Sequence, residues 1–383
     1  MQIYLDHSAT TPPRKEIVSL LAQVLSDQYG NPSSLHSWGE ETATLVETAR
    51  YQVAGLINAS DPESIVFTSG GTESDNLAIF GIANQYKEPQ HIIISSVEHS
   101  AIREPVEHLI NQRGWSATFL GVDHQGRVNP ADLEAAIRKD TALISTIYGQ
   151  SEIGTIEPIA ELLQIAKQHN ILFHSDAVQV AGRIPLDVQK IPVDLLSLSG
   201  HKLYGPQGIG SLYIRQGVTL KPQFFGGSQE ANRRAGTEPV GLIAAFGLAA
   251  QLAQKDLSQE TARLEQLRNH LFGLLSDCPY LEPTGDPNCR LPHHLSFVIN
   301  SPKVSFNSRT VVRQMSYAGI GISAGSACNS GKSIPSSILL AMGYSREQAL
   351  CGLRLTLGRQ NTLEDIEWTA LVIWQILERI FSN

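Results

Sequence analysis

Short β-rich runs separated by stretches of helical periodicity limit what this chain can fold into more than any other feature. Ser64 to Thr68, His91 to Ser95, Ala117 to Leu120, Leu143 to Ile147, Ile171 to Phe173, Leu195 to Leu198 and Gly210 to Ile214 read as strands. Strand, helix, strand repeated in this way predicts an α/β fold: a large, doubly wound, mostly parallel sheet with helices on both faces. Such sheets collect ligands at the carboxyl ends of their strands. Ahead of this region, Ile17, Leu20, Leu21, Val24 and Leu25 recur at helical spacing after Pro12 and Pro13, and a second helix is expected from about Gly39 to Ile57. Beyond it, Pro239 to about Ser276 reads as one or two long helices. Leu295 to Ile299, Ile320 to Ile322 and Leu353 to Leu357 read as strands, and Leu363 to Ile380 as a closing helix. A chain of 383 residues exceeds what one small core needs. Two domains are expected, a large one over 14–255 and a smaller α/β one formed by 1–13 together with 256–383.

Charge and cysteine usage exclude several function classes. A net charge of −8 disfavours a general nucleic-acid or anionic-membrane surface. The opening residues, Met1 to His7, have neither the basic start and long apolar stretch of a secretory signal nor the Arg/Ser bias of a transit peptide. The most apolar stretch, Val240 to Ala253, falls short of the roughly 20 residues that span a bilayer and reads as a buried helix. A cytoplasmic protein with no nucleic-acid and no membrane partner is expected. The cysteines Cys278, Cys289, Cys328 and Cys351 show no Cys-x-x-Cys spacing and no histidine partner at zinc-finger distance, so neither a structural metal nor a disulfide framework is expected. Free thiols fit a reducing compartment.

The chemistry-bearing residues fall at the predicted strand ends. Asp176 closes Ile171-Leu172-Phe173-His174-Ser175-Asp176, and Lys202 follows Ser199-Gly200-His201. A lysine among Ser, Gly and His can hold an aldehyde cofactor as a Schiff base. A carboxylate at a strand end can keep a pyridine nitrogen protonated, which makes the ring an electron sink. The pair suggests pyridoxal 5'-phosphate. Ser69-Gly70-Gly71-Thr72-Glu73-Ser74, between a strand and a helical pattern, can present backbone N–H groups and a helix dipole to a phosphate. His99, after another strand, can stack on an aromatic cofactor and exchange protons with bound substrate. Singly, each has a plainer explanation: the Gly-Gly-Thr as a bare turn, His99 as a structural loop histidine, Asp176 as a helix cap, Gln179 as a surface amide, Lys202 as a solvated cation. Their joint order at successive strand ends favours a common site.

Several segments together resemble the cysteine desulfurases of the class-V aminotransferase group. They are Tyr4-Leu5-Asp6-His7-Ser8-Ala9-Thr10-Thr11-Pro12, Gly30-Asn31-Pro32-Ser33-Ser34, Thr68 to Ser74, His174-Ser175-Asp176-Ala177-Val178-Gln179, Ser199-Gly200-His201-Lys202 and Arg354-Leu355-Thr356-Leu357-Gly358-Arg359. The resemblance runs in order from Tyr4 to about Arg359. It implies the aspartate-aminotransferase-like architecture, fold type I, with pyridoxal phosphate as cofactor and the catalytic cysteine loop in the small domain. By the same resemblance, Lys202 bonds the cofactor and later moves the substrate's α-proton. Asp176 pairs with the pyridinium nitrogen, Gln179 meets the phenolic oxygen and His99 stacks on the ring. Gly71, Thr72, Ser199 and His201 surround the phosphate, and Thr237 is donated to the neighbouring subunit's phosphate, which implies a homodimer with shared sites. Arg354 forks onto the substrate carboxylate, as bidentate guanidinium geometry suits, and Asn31 belongs with the substrate. One departure stands out. The group usually shows Asn-Asn-Glu before Ile-Gly, and this chain has Gln150-Ser151-Glu152-Ile153-Gly154, so Gln150 takes the place of an asparagine that contacts cofactor and substrate.

Cys328 selects the reaction. It lies in Ser323-Ala324-Gly325-Ser326-Ala327-Cys328-Asn329-Ser330-Gly331, a segment too small and polar to anchor a core. An isolated free cysteine is more often an apolar filler, but this one matches the desulfurase motif. The resemblance therefore implies a thiolate that takes sulfur from L-cysteine, releases L-alanine and keeps a persulfide. Cys351 is expected to be buried, and Cys278 and Cys289 carry no recognised role. The spacing from Cys328 to Pro335 resembles the longer cysteine loop of the desulfurases that serve iron–sulfur assembly. Delivery to an acceptor protein is thus expected, with an iron–sulfur scaffold, a SufE-like acceptor and a tRNA-thiolation carrier all open. The rival activities are a selenocysteine lyase and another class-V aminotransferase.

Overall fold

The structure, a computed structural model, describes residues 2–300, 306–325 and 334–382. Its strands are β1 Ile3–Tyr4, β2 Ile65–Thr68, β3 His91–Ser95, β4 Ser116–Leu120, β5 Thr141–Ile147, β6 Leu172–Asp176, β7 Leu195–Ser199, β8 Gly210–Ile214, β9 Leu281–Pro283, β10 His294–Ile299, β11 Ile320–Gly321 and β12 Gly352–Thr356. Its helices are α1 Lys15–Asp27, α2 Ser37–Leu56, α3 Gly71–Ala83, α4 Ser100–Arg113, α5 Pro130–Ala136, α6 Ile159–Gln168, α7 Val240–Leu275, α8 Arg309–Tyr317, α9 Ser337–Ala341, α10 Arg346–Ala349 and α11 Leu363–Phe381.

The central sheet runs in the order β2-β8-β7-β6-β5-β3-β4. β4, β3, β5, β6 and β7 are parallel to their neighbours, while β8 turns back and pairs antiparallel with both β7 and β2. The strand runs are continuous in hydrophobicity because both faces are covered. On one face Phe67, Ile93, Ile144 and Phe173 pack with Val53 of α2, Leu162 of α6 and Phe246 of α7. On the other, Val66, Ile92, Ile94 and Leu143 pack with Leu77 and Ile82 of α3 and Val106 of α4. The chain steps outward from β3 to β4, then returns to lay β5 on the other side of β3. That reversal opens a crevice beyond the carboxyl ends of β3, β5 and β6.

A further core lies among β10, β12, the second half of α7, α8 and α11, with Leu267, Leu271, Phe297, Met315, Leu355 and Ile373 at its centre. The N-terminal residues join it: β1 pairs in parallel with β11, and Ile3 and Leu5 are buried there. The long apolar-to-amphipathic stretch forms one unbroken helix of 36 residues, about 54 Å long at 1.5 Å per residue. Its Ile243, Phe246 and Ala249 sit in the sheet core, and its Leu264, Leu267, Leu271 and Leu275 in the other. Among the described residues, no helix is long and apolar enough to cross a membrane.

Candidate active site

One cavity of about 560 Å³ opens at the crevice. It is lined by residues from several strand ends, among them Gly71, Thr72, His99, Gln150, Asp176, Gln179, Ser199, His201, Lys202 and Arg354. Residues at the ends of β2, β3, β5, β6 and β7 are thereby brought together with Arg354, from the middle of β12. Lys202, just past β7, donates from Nζ to the Ala9 carbonyl at 2.8 Å and to the Ser8 carbonyl. Asp176, the last residue of β6, is buried, and its Oδ1 accepts from the Val178 N–H at 2.9 Å. His99 caps α4, with Nδ1 accepting from the Ala101 N–H at 3.1 Å. That bond occupies the acceptor nitrogen, so the proton of a neutral ring resides on Nε2. Gln179 is turned inward and donates from Nε2 to the Ser8 carbonyl at 2.9 Å.

The phosphate cradle follows from local backbone chemistry. Gly70 is the N-cap of α3, in a φ of 153° that side chains rarely adopt, and no side chain caps the helix. The first-turn N–H groups therefore lack a side-chain acceptor, beside Thr72, Ser199 and His201. A Cβ on Gly71 would stand 2.8 Å from Val178 Cγ2, so only glycine closes that wall. Burial, with Lys202 adding to it, pushes His201 down to about 4, and its Nδ1 lies 3.1 Å from Thr10 Oγ1.

The cavity is acidic. Asp75, Glu98 and Glu152 line it beside Asp176, all buried, and sequence reasoning singled out none of the first three. Asp75 Oδ1, Glu98 Oε2 and Glu152 Oε1 have no hydrogen-bond partner among the described residues. Burial pushes Glu98 up to about 8 despite donors from Ser95 Oγ at 2.6 Å and the Ile147 N–H at 2.8 Å. Asp75 is raised well above the carboxylate range, by burial and then by the Asp176 charge. Asp176 is also raised by burial, against the pull of His99, the Val178 N–H and Lys202. Glu98 directly precedes His99 and Asp75 lies one turn after Gly71, so proximity to the motifs was the available signal.

Arg354, on β12, is buried in the wall. Its Nη1 donates to the Ser151 carbonyl at 2.9 Å and its Nη2 to Asp6 Oδ1 at 2.8 Å, while the buried Nε has no hydrogen-bond partner among the described residues. Asp6 and the Ser151 carbonyl thereby fix the orientation of the guanidinium in the cavity wall. Gln150 is engaged with its own turn: Oε1 accepts from the Glu152 N–H and from the Ile153 N–H at 3.1 Å, and Nε2 donates to the Val97 carbonyl at 3.2 Å. Cys328 lies outside the described residues. Of the other thiols, Cys351 is buried and pushed up to about 11 and Cys278 is buried and raised, so neither ionises readily at neutral pH.

Thr237 and Asn31 do not line this cavity; both are exposed on loops. Asn31 Oδ1 accepts from the Ser33 N–H at 2.9 Å. Thr237 follows a turn in which Glu230, Ala231 and Asn232 all have left-handed backbones, with φ of 48°, 51° and 63°. Each such residue costs about 1 to 2 kcal/mol in an L-amino acid. The buried Glu230 carboxylate anchors the turn, accepting from Arg50 Nη1 at 2.9 Å, Arg50 Nη2 at 3.0 Å and the Phe67 N–H at 2.9 Å. Nearer Thr237, Arg234 Nε donates to Glu73 Oε1 at 2.9 Å. Glu73 also accepts from the Ser69 N–H at 2.7 Å, so the segment is tied to the cradle turn itself. Burial alone would raise Glu73, but these donors outweigh it and hold the carboxyl below its usual range.

A mostly parallel sheet with a lysine, a buried carboxylate and an uncapped helix N-terminus converging at its strand ends defines a fold-type-I pyridoxal-phosphate enzyme. The residues present fit that cofactor: an amine for its aldehyde, an acid for its nitrogen, and unsatisfied N–H groups for its phosphate. The profile of the aminotransferase class-V family matches residues 3–368, and the chain belongs to that family. It is 44% identical over 384 residues to the cysteine desulfurase IscS of Dictyoglomus turgidum, covering 99% of this chain and 95% of that protein. Among solved structures, a NifS-like protein superposes with a TM-score of 0.91 at 32% identity, covering 99% of this chain and 100% of the other. SspA in complex with cysteine superposes with a TM-score of 0.82 at 33% identity, over 93% of this chain and 99% of that one.

Proposed function

We propose that this chain is a pyridoxal-phosphate-dependent cysteine desulfurase: it converts L-cysteine to L-alanine and leaves the sulfur as a persulfide on Cys328. The observation that carries this is the convergence of Lys202, Asp176, His99 and Arg354 on one cavity, in a chain whose full-length relatives include cysteine desulfurases. Pyridoxal phosphate, when bound, supplies an electron sink next to the substrate's Cα. Lys202 would hold it, and its Nζ would remove the substrate's α-proton and return one to the product. Asp176 would keep the ring nitrogen protonated, His99 would stack on the ring, and Gly71, Thr72, Ser199 and His201 would hold the phosphate. Arg354, oriented by Asp6 and the Ser151 carbonyl, takes the substrate carboxylate. Gln150 acts by fixing the 150–154 turn whose Ser151 carbonyl orients Arg354.

In the sulfur step the Cys328 thiolate bonds to the substrate sulfur, the sulfur–carbon bond breaks, and the carbon receives a proton. L-cysteine and the thiol thus become L-alanine and the persulfide, with no outside oxidant. The persulfide passes to an acceptor protein: an iron–sulfur scaffold, a SufE-like acceptor or a tRNA-thiolation carrier. The enzyme works as a homodimer in which Thr237 serves the neighbouring site, and its exposure outside its own cavity supports this; Asn31 serves substrate binding. It acts in the cytoplasm, which the free thiols Cys278, Cys289 and Cys351 favour. The large domain is 14–255 and the small one 1–13 with 256–383, in keeping with the burial of Ile3 and Leu5 among C-terminal residues.

The test is to incubate the purified protein with L-cysteine and follow alanine release alongside mass spectrometry of the Cys328 peptide. One added sulfur on Cys328, and loss of alanine release with retained cofactor absorbance in Cys328→Ser, are expected. A Cys328→Ser enzyme that still turns over cysteine would refute the assignment.

A further inference from the structure

We propose that Glu230 is a positioning residue that acts across the subunit interface: its carboxylate, locked to Arg50, holds the turn that aims Thr237 at the phosphate site of a second copy of this chain. The inference rests on the homodimer proposed above and adds the device that makes sharing a site possible.

Glu230, Ala231 and Asn232 form an unbroken left-handed turn without a glycine. L-residues avoid that region, so a run of three persists only where the surroundings over-determine it. The chain has glycines close by, at Gly226, Gly227 and Gly236, and a turn that merely joined β8 to α7 would need no side-chain anchor. Here the anchor is elaborate. Arg50, on α2, forks both terminal nitrogens onto Glu230 and also donates from Nη1 to the Ile65 carbonyl at 2.6 Å. The same carboxylate accepts from the Phe67 N–H, inside the strand that runs into Gly70 and Gly71. Downstream, Gly236 N–H donates to Gln229 Oε1 at 3.1 Å, and Arg234 grips Glu73 at the start of the cradle helix.

The restraints that reach outside the segment come from Arg50 of α2, the Phe67 N–H of β2, the Glu63 carbonyl just ahead of β2, and Glu73 of the cradle helix. Thr237 stays exposed, and it does not line the cavity of its own chain. The geometry fixes Thr237 relative to its own cradle while presenting it outward. In a two-fold dimer that is what delivering a hydroxyl to the opposite cradle requires.

Mixed dimers test this. In the first arrangement one protomer carries Lys202→Ala together with Glu230→Gln and its partner is unaltered. The only site able to form a borohydride-trappable bond to pyridoxal phosphate then receives Thr237 from the altered protomer. In the second arrangement Lys202→Ala and Glu230→Gln are on opposite protomers, and the working site receives Thr237 from a chain with intact Glu230. Half-saturation of trapped cofactor, read by mass spectrometry of the Lys202 peptide, is expected to weaken about 10-fold in the first arrangement, as for a lost charged hydrogen bond, and to stay near the Lys202→Ala hybrid in the second. Equal weakening in both, or weakening only in the second, overturns the inference. Thr237→Ala in the same two arrangements separates this from the dimer reading: without an effect in trans, the shared site itself fails. If Thr237→Ala acts in trans and Glu230→Gln does not, the site is shared and Glu230 is not its positioner. Arg50→Lys, which keeps the charge and loses the fork, should repeat the trans pattern at smaller amplitude, so the inference stays testable should Glu230→Gln fold poorly.

Discussion

The acids inside the cavity and those on its rim are treated in opposite ways. Asp75, Glu98 and Glu152 are buried, each with one oxygen that has no hydrogen-bond partner among the described residues, and burial raises all three. Glu230, in the turn ahead of α7, and Glu73, on α3, are forked by Arg50 and Arg234 and further satisfied by backbone N–H groups. These two rim carboxylates are paired and set shape. The cavity is left incomplete, and unsatisfied polar groups in a low-dielectric site are where a ligand's own charges matter most. A protein that satisfied both regions equally would be more stable and less able to take up a charged cofactor.

Substitutions should separate the two regions. The largest effect is expected on the rim: Arg50→Ala strands the buried Glu230 carboxylate and should cost about 3 to 5 kcal/mol, measured by urea denaturation. A loss below 1 kcal/mol would show that the rim is no better paired than the cavity. Inside, Glu98→Gln should move stability the other way in cofactor-free enzyme. Glu98 titrates near 4.5 when unfolded and at about 8 when folded, so between these values the folded chain holds a proton the unfolded chain has lost. Its contribution is complete below about 4.5 and declines as pH rises to about 8. The variant should therefore lose part of that decline and gain about 1 to 3 kcal/mol at pH 8, with little change at pH 4.5. A Tm difference independent of pH would refute this. The smallest effect belongs to the strained turn, where Ala231→Gly relieves a left-handed Cβ but adds unfolded-state freedom, for a net gain of up to about 1 kcal/mol in thermal denaturation.

Much of the fold was legible because buried parallel strands leave a coarse signature. His91–Ser95 and Gly210–Ile214 occur at the expected bounds, and the other central strands within two or three residues. What escaped was short or nonlocal. β1 and β9 span two and three residues, too few for any period to register, and the antiparallel return of β8 depends on its neighbours. The candidate site was readable wherever its residues sit in motifs at strand ends, as with Asp176, Lys202 and His99. The acids Asp75, Glu98 and Glu152 were not: nearness to His99 and Gly71 marks the first two as neighbours of the site, but sequence does not tell a buried carboxylate from a solvated one. The pairing of Asp6 with Arg354 joins residues from opposite ends of the chain, and the engagement of Gln150 with its own turn depends on a backbone path that composition does not encode.

The 36-residue α7 contributes to both hydrophobic cores without a break. It acts as a single beam through the molecule. A bend between the wall that carries Lys202 and the wall that carries Arg354 must then arise in the loops beside the helix, because the helix itself offers no hinge. The spacing between the two halves of the cavity is thus set by a single rod that both cores share.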